Sequence, residues 1–264
     1  MSPARQHPAL TLEQEPHLVV RSLATDYSSG YLIEEHTHAW RQLLYASAGA
    51  MTVYAGQWTW MIPPGRAVFI PAGRPHSIRM WGEVAMRSLC FPAGLDEPAL
   101  RFDDCRVIAV TPLLRELILR VIEMSALDER VAPDRRLLSV LLDEMHQVDE
   151  MHQARTNPLA LPLPRDPRAL AVARDVLACP GVEPSLDKLA RRYGTGRRTL
   201  ERLFRGETGI SFGLWQQKAR LLESVRALAE GRSVTNAALD AGYSSVSAFI
   251  AAFKRTFGCT PGRL

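Results

Sequence analysis

The sequence predicts an α+β protein of two domains: a β-rich N-terminal half closed by helices, then an all-α C-terminal half. Three observations predict it. Residues 18–110 break into short runs rich in β-branched and aromatic side chains, punctuated by Gly and Pro. From Pro112 the apolar spacing changes from alternation to a helical stripe. From Arg168 a helical stretch contains a near-repeat of itself. A length of 264 residues suits two domains better than one.

In the β-rich half, "QLLYASAG", "MTVYAG", "WTWMIP", "AVFIPAG" and "VAMRSLCF" read as strands of an antiparallel sandwich or barrel. Trp58-Thr59-Trp60 alternates, which puts both indoles on one strand face. The 47% hydrophobic content is ample for one core in each half. Cys90, Cys105, Cys179 and Cys259 form no C-x-x-C pair, which argues against a zinc finger or redox site and leaves them as small buried hydrophobes. No apolar run approaches the ~18 residues of a membrane span. "MSPARQHPAL" lacks the apolar core of a signal peptide. The expectation is a cytoplasmic protein with no membrane partner.

Two amphipathic helices follow. One carries Leu113, Leu114, Leu117, Val121 and Ile122; the other carries Leu137, Leu138, Leu141, Leu142 and Met145 behind an Asp134 N-cap. Such faces need a partner surface, either their own sheet or a second copy, and a homodimer is expected. "ARTNPLALPLPRDP" is proline-rich, so residues 156–167 read as a linker between a sensor and dimerisation domain, 1–155, and a second domain, 168–264. Asp166-Pro167 reads as an N-cap and first helical residue.

Charge separates the halves. Arg165 to Leu264 holds 17 Lys/Arg against 9 Asp/Glu, a net of +8, and includes all three lysines; residues 1–164 hold 15 against 19, a net of −4. A basic segment joined to an acidic one suggests a polyanionic partner for the former.

The repeat inside the basic half has a helix-turn-helix form. "SLDKLARRYGTGRRTLERLF" from Ser185 is echoed by "SVTNAALDAGYSSVSAFIAAF" from Ser233. In each copy a serine can cap, an alanine (Ala190, Ala238) sits where two helices cross, and a glycine (Gly194, Gly242) ends the first helix. Inward apolar residues follow at Leu200 and Phe204, and at Phe249 and Phe253. Between the copies, one helix from about Ser211 to Glu230 would span roughly 30 Å at ~1.5 Å per residue. That approaches the ~34 Å between major-groove faces one DNA turn apart.

"GETGISFGLWQQKARL", "AALDAGYSSVSAFIAAFKRTFGCTPGRL" and the double repeat resemble the DNA-binding domain of AraC-family transcription regulators, over about Asp166 to Leu264. The resemblance implies a regulator that binds double-stranded promoter DNA through two helices. Position by position, it gives base-edge candidates Arg198, Glu201 and Arg202 in the first reading helix and Val246, Ser247 and Ala251 in the second. Phosphates fall to Arg197, Lys254 and Arg255. Arginine can grip guanine bidentately and glutamate can accept from cytosine N4, whereas the second helix offers mainly apolar contact with thymine methyls.

The N-terminal half in turn resembles a cupin barrel, the usual companion domain in that family. "GRAVFIPAGRPH" fits a G-x5-P-x-G-x2-H motif at Gly65, Pro71, Gly73 and His76, and "HTHAWRQ" resembles the first cupin motif with His36, His38 and Gln42. Strand residues i and i+2 point the same way, so His36 and His38 can converge with His76 on one ion. Imidazoles suit Zn, Ni, Fe or Cu. Metal-binding cupins carry glutamate where Gln42 stands, and the alternative is histidines bonded within the barrel. Of the tryptophans in this half, Trp40, Trp58 and Trp60 are candidates to line an effector pocket, with Arg66, Arg79 and Arg87 as anion anchors.

The leading reading is a regulator whose cupin domain senses a small molecule or a divalent metal and thereby controls promoter binding. The alternative is a metal-dependent cupin enzyme fused to a DNA-binding domain. The missing glutamate and the lack of an evident general base count against it.

Overall fold

The computed structural model describes residues 15–151, 159–178, 185–257 and 260–263. Cys179, Cys259, His7 and His152 lie outside them. The N-terminal half folds as two antiparallel sheets laid face to face. One has six strands in the order β10-β1-β8-β3-β6-β9 and the other five in the order β11-β5-β4-β7-β2. The strands are β1 (Leu18–Tyr27), β2 (Leu32–His36), β3 (Trp40–Ala46), β4 (Ala50–Ala55), β5 (Trp58–Ile62), β6 (Arg66–Ile70), β7 (His76–Trp81), β8 (Val84–Pro92), β9 (Arg106–Ala109), β10 (Ala126–Asp128) and β11 (Ala160–Pro162).

Alternation decides which side chains meet. Along β3 and β6, Leu44, Val68 and Ile70 face the opposite sheet, where Met51, Val53, Ile78 and Met80 come to meet them. The intervening Leu43, Tyr45 and Phe69 point outward and are buried by helices α1 (Pro112–Met124) and α2 (Ala132–Met151) through Leu114, Ile118, Val121, Leu141 and Met145. Thr111 caps α1, accepting from the Leu114 amide. Asp134 does not cap α2. It lies inside the first turn and its carboxylate accepts from the Asp128 amide, pinning α2 to β10. Leu113 is 52% exposed and Val140 46%, so one face of this helical pair stays open.

The basic half comprises α3 (Pro167–Ala178), α4 (Leu186–Arg192), α5 (Arg197–Thr208), α6 (Phe212–Ala229), α7 (Val234–Asp240) and α8 (Val246–Phe257). Asp166 accepts from the Arg168 amide at the start of α3, as its place before Pro167 predicts.

Two expectations need correction. Residues 156–167 are not simply a linker, because Ala160–Pro162 pairs with Trp58–Trp60 as the edge strand of the five-stranded sheet. Pro162 is itself the last paired residue, opposite Trp58, and an edge strand tolerates a proline there. Nor does each half own one separate core. The apolar cluster inside the sheets continues through Leu159–Leu161 into Trp215, Phe204 and Phe249, while a second cluster lies under α1 and α2. The indole of Trp215 donates to the Pro162 carbonyl at 2.6 Å, and the Arg226 guanidinium sits 4.5 Å over the Trp81 ring.

Candidate functional site

The two helix pairs share one construction. Ser185 and Ser233 cap α4 and α7, accepting from the amides of Lys188 and Asn236. Gly194 (φ 61°) and Gly242 (φ 79°) take the left-handed turn that ends each first helix, a conformation that penalises a Cβ. Ala190 and Ala238 are buried at the crossings, and Leu200, Phe204, Phe249 and Phe253 are fully buried beneath the second helices. Helices α5 and α7 both pack against α6, which therefore holds the two units apart.

That packing leaves one face of α5 in solvent: Arg197, Arg198, Glu201, Arg202 and Arg205 are all exposed. Arg197 bonds Glu201 at 3.0 Å and Asp187 at 3.1 Å, so those candidates start engaged with one another. Arg198 and Arg202 have no ion pair among the described residues. On α8, Ser247, Ala251, Lys254 and Arg255 are exposed and Val246 is half-buried.

The second constellation sits at one end of the sheets. His36, His38 and His76 bring ring nitrogens within 4.8 Å of one another. The route differs from the predicted strand alternation. His36 ends β2, but His38 lies beyond it in the loop to β3, and the β2–β7 register shifts between Ile33 and His36. The loop, not the pleat, turns His38 back.

Hydrogen bonds fix the three rings. Nδ1 of His36, His38 and His76 lies 2.9, 2.7 and 2.9 Å from the carbonyls of Glu34, Trp40 and Arg74. Carbonyls only accept, so each Nδ1 carries a proton, which leaves Nε2 as the atom that can offer a lone pair. Burial pushes the His76 pKa down to about 4 and also lowers that of His38, which keeps both neutral at pH 7.

Gln42, buried on β3, places Oε1 3.1 Å from His38 Nε2 and donates its amide to Ser88 Oγ at 3.1 Å. Two acceptors thus face each other, as two ligands of one cation do. Without an ion this pair closes only if the amide is reversed, donating to His38 and accepting from Ser88. His76 Nε2 is buried without a partner in either case. Three oriented imidazoles, one of them with an orphaned lone pair, and an amide oxygen fit a divalent transition ion.

The three tryptophans do not form one pocket. Trp40 stacks on His38, with ring centroids 4.9 Å apart and planes 6° from parallel, and belongs to the histidine cluster. Trp58 and Trp60 line a different cavity of about 430 Å³. Arg66, Arg79 and Arg87 are not among its walls: Arg66 bonds the Gly65 carbonyl, Arg79 lies over Trp81, and Arg87 pairs with Asp26. The cations that do line it, Arg106 and Lys218, were not singled out from sequence. Nothing local marks them, because Lys218 reaches the cavity from the other half of the chain.

Comparison with known proteins agrees with both halves. Residues 19–146 match the family described as AraC-like ligand binding domain, and residues 189–264 match a helix-turn-helix domain. The chain is 33% identical over 232 residues to the HTH-type transcriptional regulator NimR of Escherichia coli K12, covering 86% of this chain and 80% of that one. Among solved structures, ToxT from Vibrio cholerae with bound unsaturated fatty acid covers 93% of this chain and 94% of its own at 12% identity and a TM-score of 0.41. The DNA-binding domain of AdpA in complex with a target DNA covers 38% and 89% at 31% identity and a TM-score of 0.34.

Proposed function

Because the chain belongs to the AraC family of transcription regulators, a ligand-binding domain joined to a helix-turn-helix domain, we propose that it works in the cytoplasm as a homodimer that reads promoter DNA through α5 and α8. The observation that carries this reading is the pair of equivalent helix units on α6. Its 18 residues make a rod of about 27 Å, somewhat shorter than the ~34 Å between major-groove faces one DNA turn apart, with a unit packed at each end to extend the reach. Arg198 and Arg202, exposed and uncommitted, are the base readers of the first unit, with Glu201 joining them when Arg197 turns to a phosphate. Val246, Ser247 and Ala251 read the second half of the site, and Lys254 and Arg255 hold its backbone. The open Leu113 and Val140 face supports self-association through α1 and α2. Sequencing the genomic fragments that the purified protein retains, followed by footprinting, tests the reading. Two protected segments on one face of the duplex, one turn apart, are expected; an absence of protection refutes it.

The histidine cluster is proposed to hold one Zn, Ni, Fe or Cu ion through His36, His38 and His76, with Gln42 as a neutral fourth donor. The orphaned His76 Nε2 supports this. Such an ion would tie the β2–β3 loop to β7 and let the domain sense metal as well as a small molecule. A regulatory rather than catalytic role is favoured because no carboxylate joins the cluster among the described residues, leaving none there to act as a general base beside the ion. Elemental analysis of protein purified without chelator should find about one equivalent of metal, and His76→Ala should abolish it. A metal-free protein that also fails to take up any of the four ions refutes the site.

A further inference from the structure

The cavity beside Trp58 and Trp60 is built by both halves of the chain, and its chemistry specifies a ligand class. Trp60 is buried, whereas Trp58 is 38% exposed, a large apolar ring left open. The two rings lie 6.3 Å apart and 28° from parallel, giving a flat aromatic wall. Lys218 of α6 also lines the cavity, half-buried and with no carboxylate partner among the described residues. Burying an ammonium without a counter-charge is costly, and this one is left so.

The other charged groups at the cavity are already engaged. Asp104 pairs with Arg74 at 3.0 Å, and Arg106 lies 4.5 Å over the Phe102 ring. Thr208 and Ile210 add wall from the helical half, so the site holds an aromatic face and one uncommitted cation in about 430 Å³. That volume accepts a compact organic ligand of one or two rings.

We propose that this cavity binds an aromatic carboxylate, its ring against Trp58 and Trp60 and its anion on Lys218. The wall belongs to the ligand-binding domain and the ammonium to the rod between the two DNA-reading units. A ligand that touches both favours the arrangement in which they stand this close, and so couples occupancy to the placement of α5 and α8. The inference rests on the reading of the protein as an effector-controlled regulator, but its test does not depend on knowing the operator.

The full-length protein is titrated with 4-phenylbenzoate, with its neutral amide and with decanoate, following tryptophan fluorescence and heat. The aromatic acid should bind at least about tenfold more tightly than the amide, a difference of ~1.4 kcal/mol. Lys218→Met should erase that preference while leaving amide binding in place, which also reports that the variant is folded. Lys218→Arg should keep the preference, and Trp58→Ala should weaken acid and amide alike. Equal binding of acid and amide, an undiminished preference in Lys218→Met, or tighter binding of decanoate each overturns the proposal. Loss of footprints on every DNA tested would sink the regulator reading instead, and leaves the titration result standing.

Discussion

The two helix-turn-helix units have the same frame and opposite surfaces. Serine caps, a left-handed glycine, a buried alanine at the crossing and two fully buried apolar side chains recur in both. Yet the solvent face of α5 carries Arg197, Arg198, Glu201, Arg202 and Arg205, whereas the start of α8 presents Val246, Ser247 and Ala251 before reaching Lys254 and Arg255. Packing constrains the inward positions of both units equally and leaves the outward ones free to diverge. On the proposed reading, the first unit would carry most of the base discrimination, and the second would read mainly through methyl contact and grip the backbone.

The comparison can be broken first at the frame. Phe204→Ala and Phe253→Ala should each cost about 3–5 kcal/mol in chemical denaturation, since both rings are fully buried. A much smaller loss at Phe253 would show that the second frame is looser than the first. Next come the faces. Arg202→Ala should lose about 1–3 kcal/mol at a single base pair in competition binding across substituted operators, while Ser247→Ala should lose less than about 1 kcal/mol. Equal losses for Arg202→Ala on operator and random DNA would remove its role as a reader. Ser185→Ala and Ser233→Ala should each cost about 1 kcal/mol of stability by freeing a helical amide, with the two values close together. The smallest effect is Lys254→Ala. It should weaken all sequences alike and reduce the slope of log affinity against log salt by about 0.9.

The frame was legible because it depends on local rules. Capping serines, turn glycines and an i, i+4 apolar stripe are visible in any window of twenty residues, and α6 emerged within a residue of its expected ends. His36, His38 and His76 were legible as a set for the same reason, through a turn motif and close spacing. The way His38 reaches the cluster was not, since a shift in strand register leaves no mark in composition. The sequence points to Asp134 as a cap because an acidic residue ahead of an apolar stripe serves equally well in the first turn, where it accepts from the amide of a neighbouring strand. The split of the tryptophans and the arrival of Lys218 depend on which strands neighbour one another and on how the halves dock. Those are long-range choices that no local pattern encodes.

One feature of the connection between the halves changes what release would mean. Ala160–Pro162 is at once the leash of the DNA-reading half and the outermost plank of the sheet, and Pro162 also receives the Trp215 indole. Peeling that plank away would lengthen the leash, open the floor beside Trp58 and unhook α6 in a single movement. Detachment of the reading half and loss of the cavity would then be one event, and an occupant that seals the cavity would also latch the door.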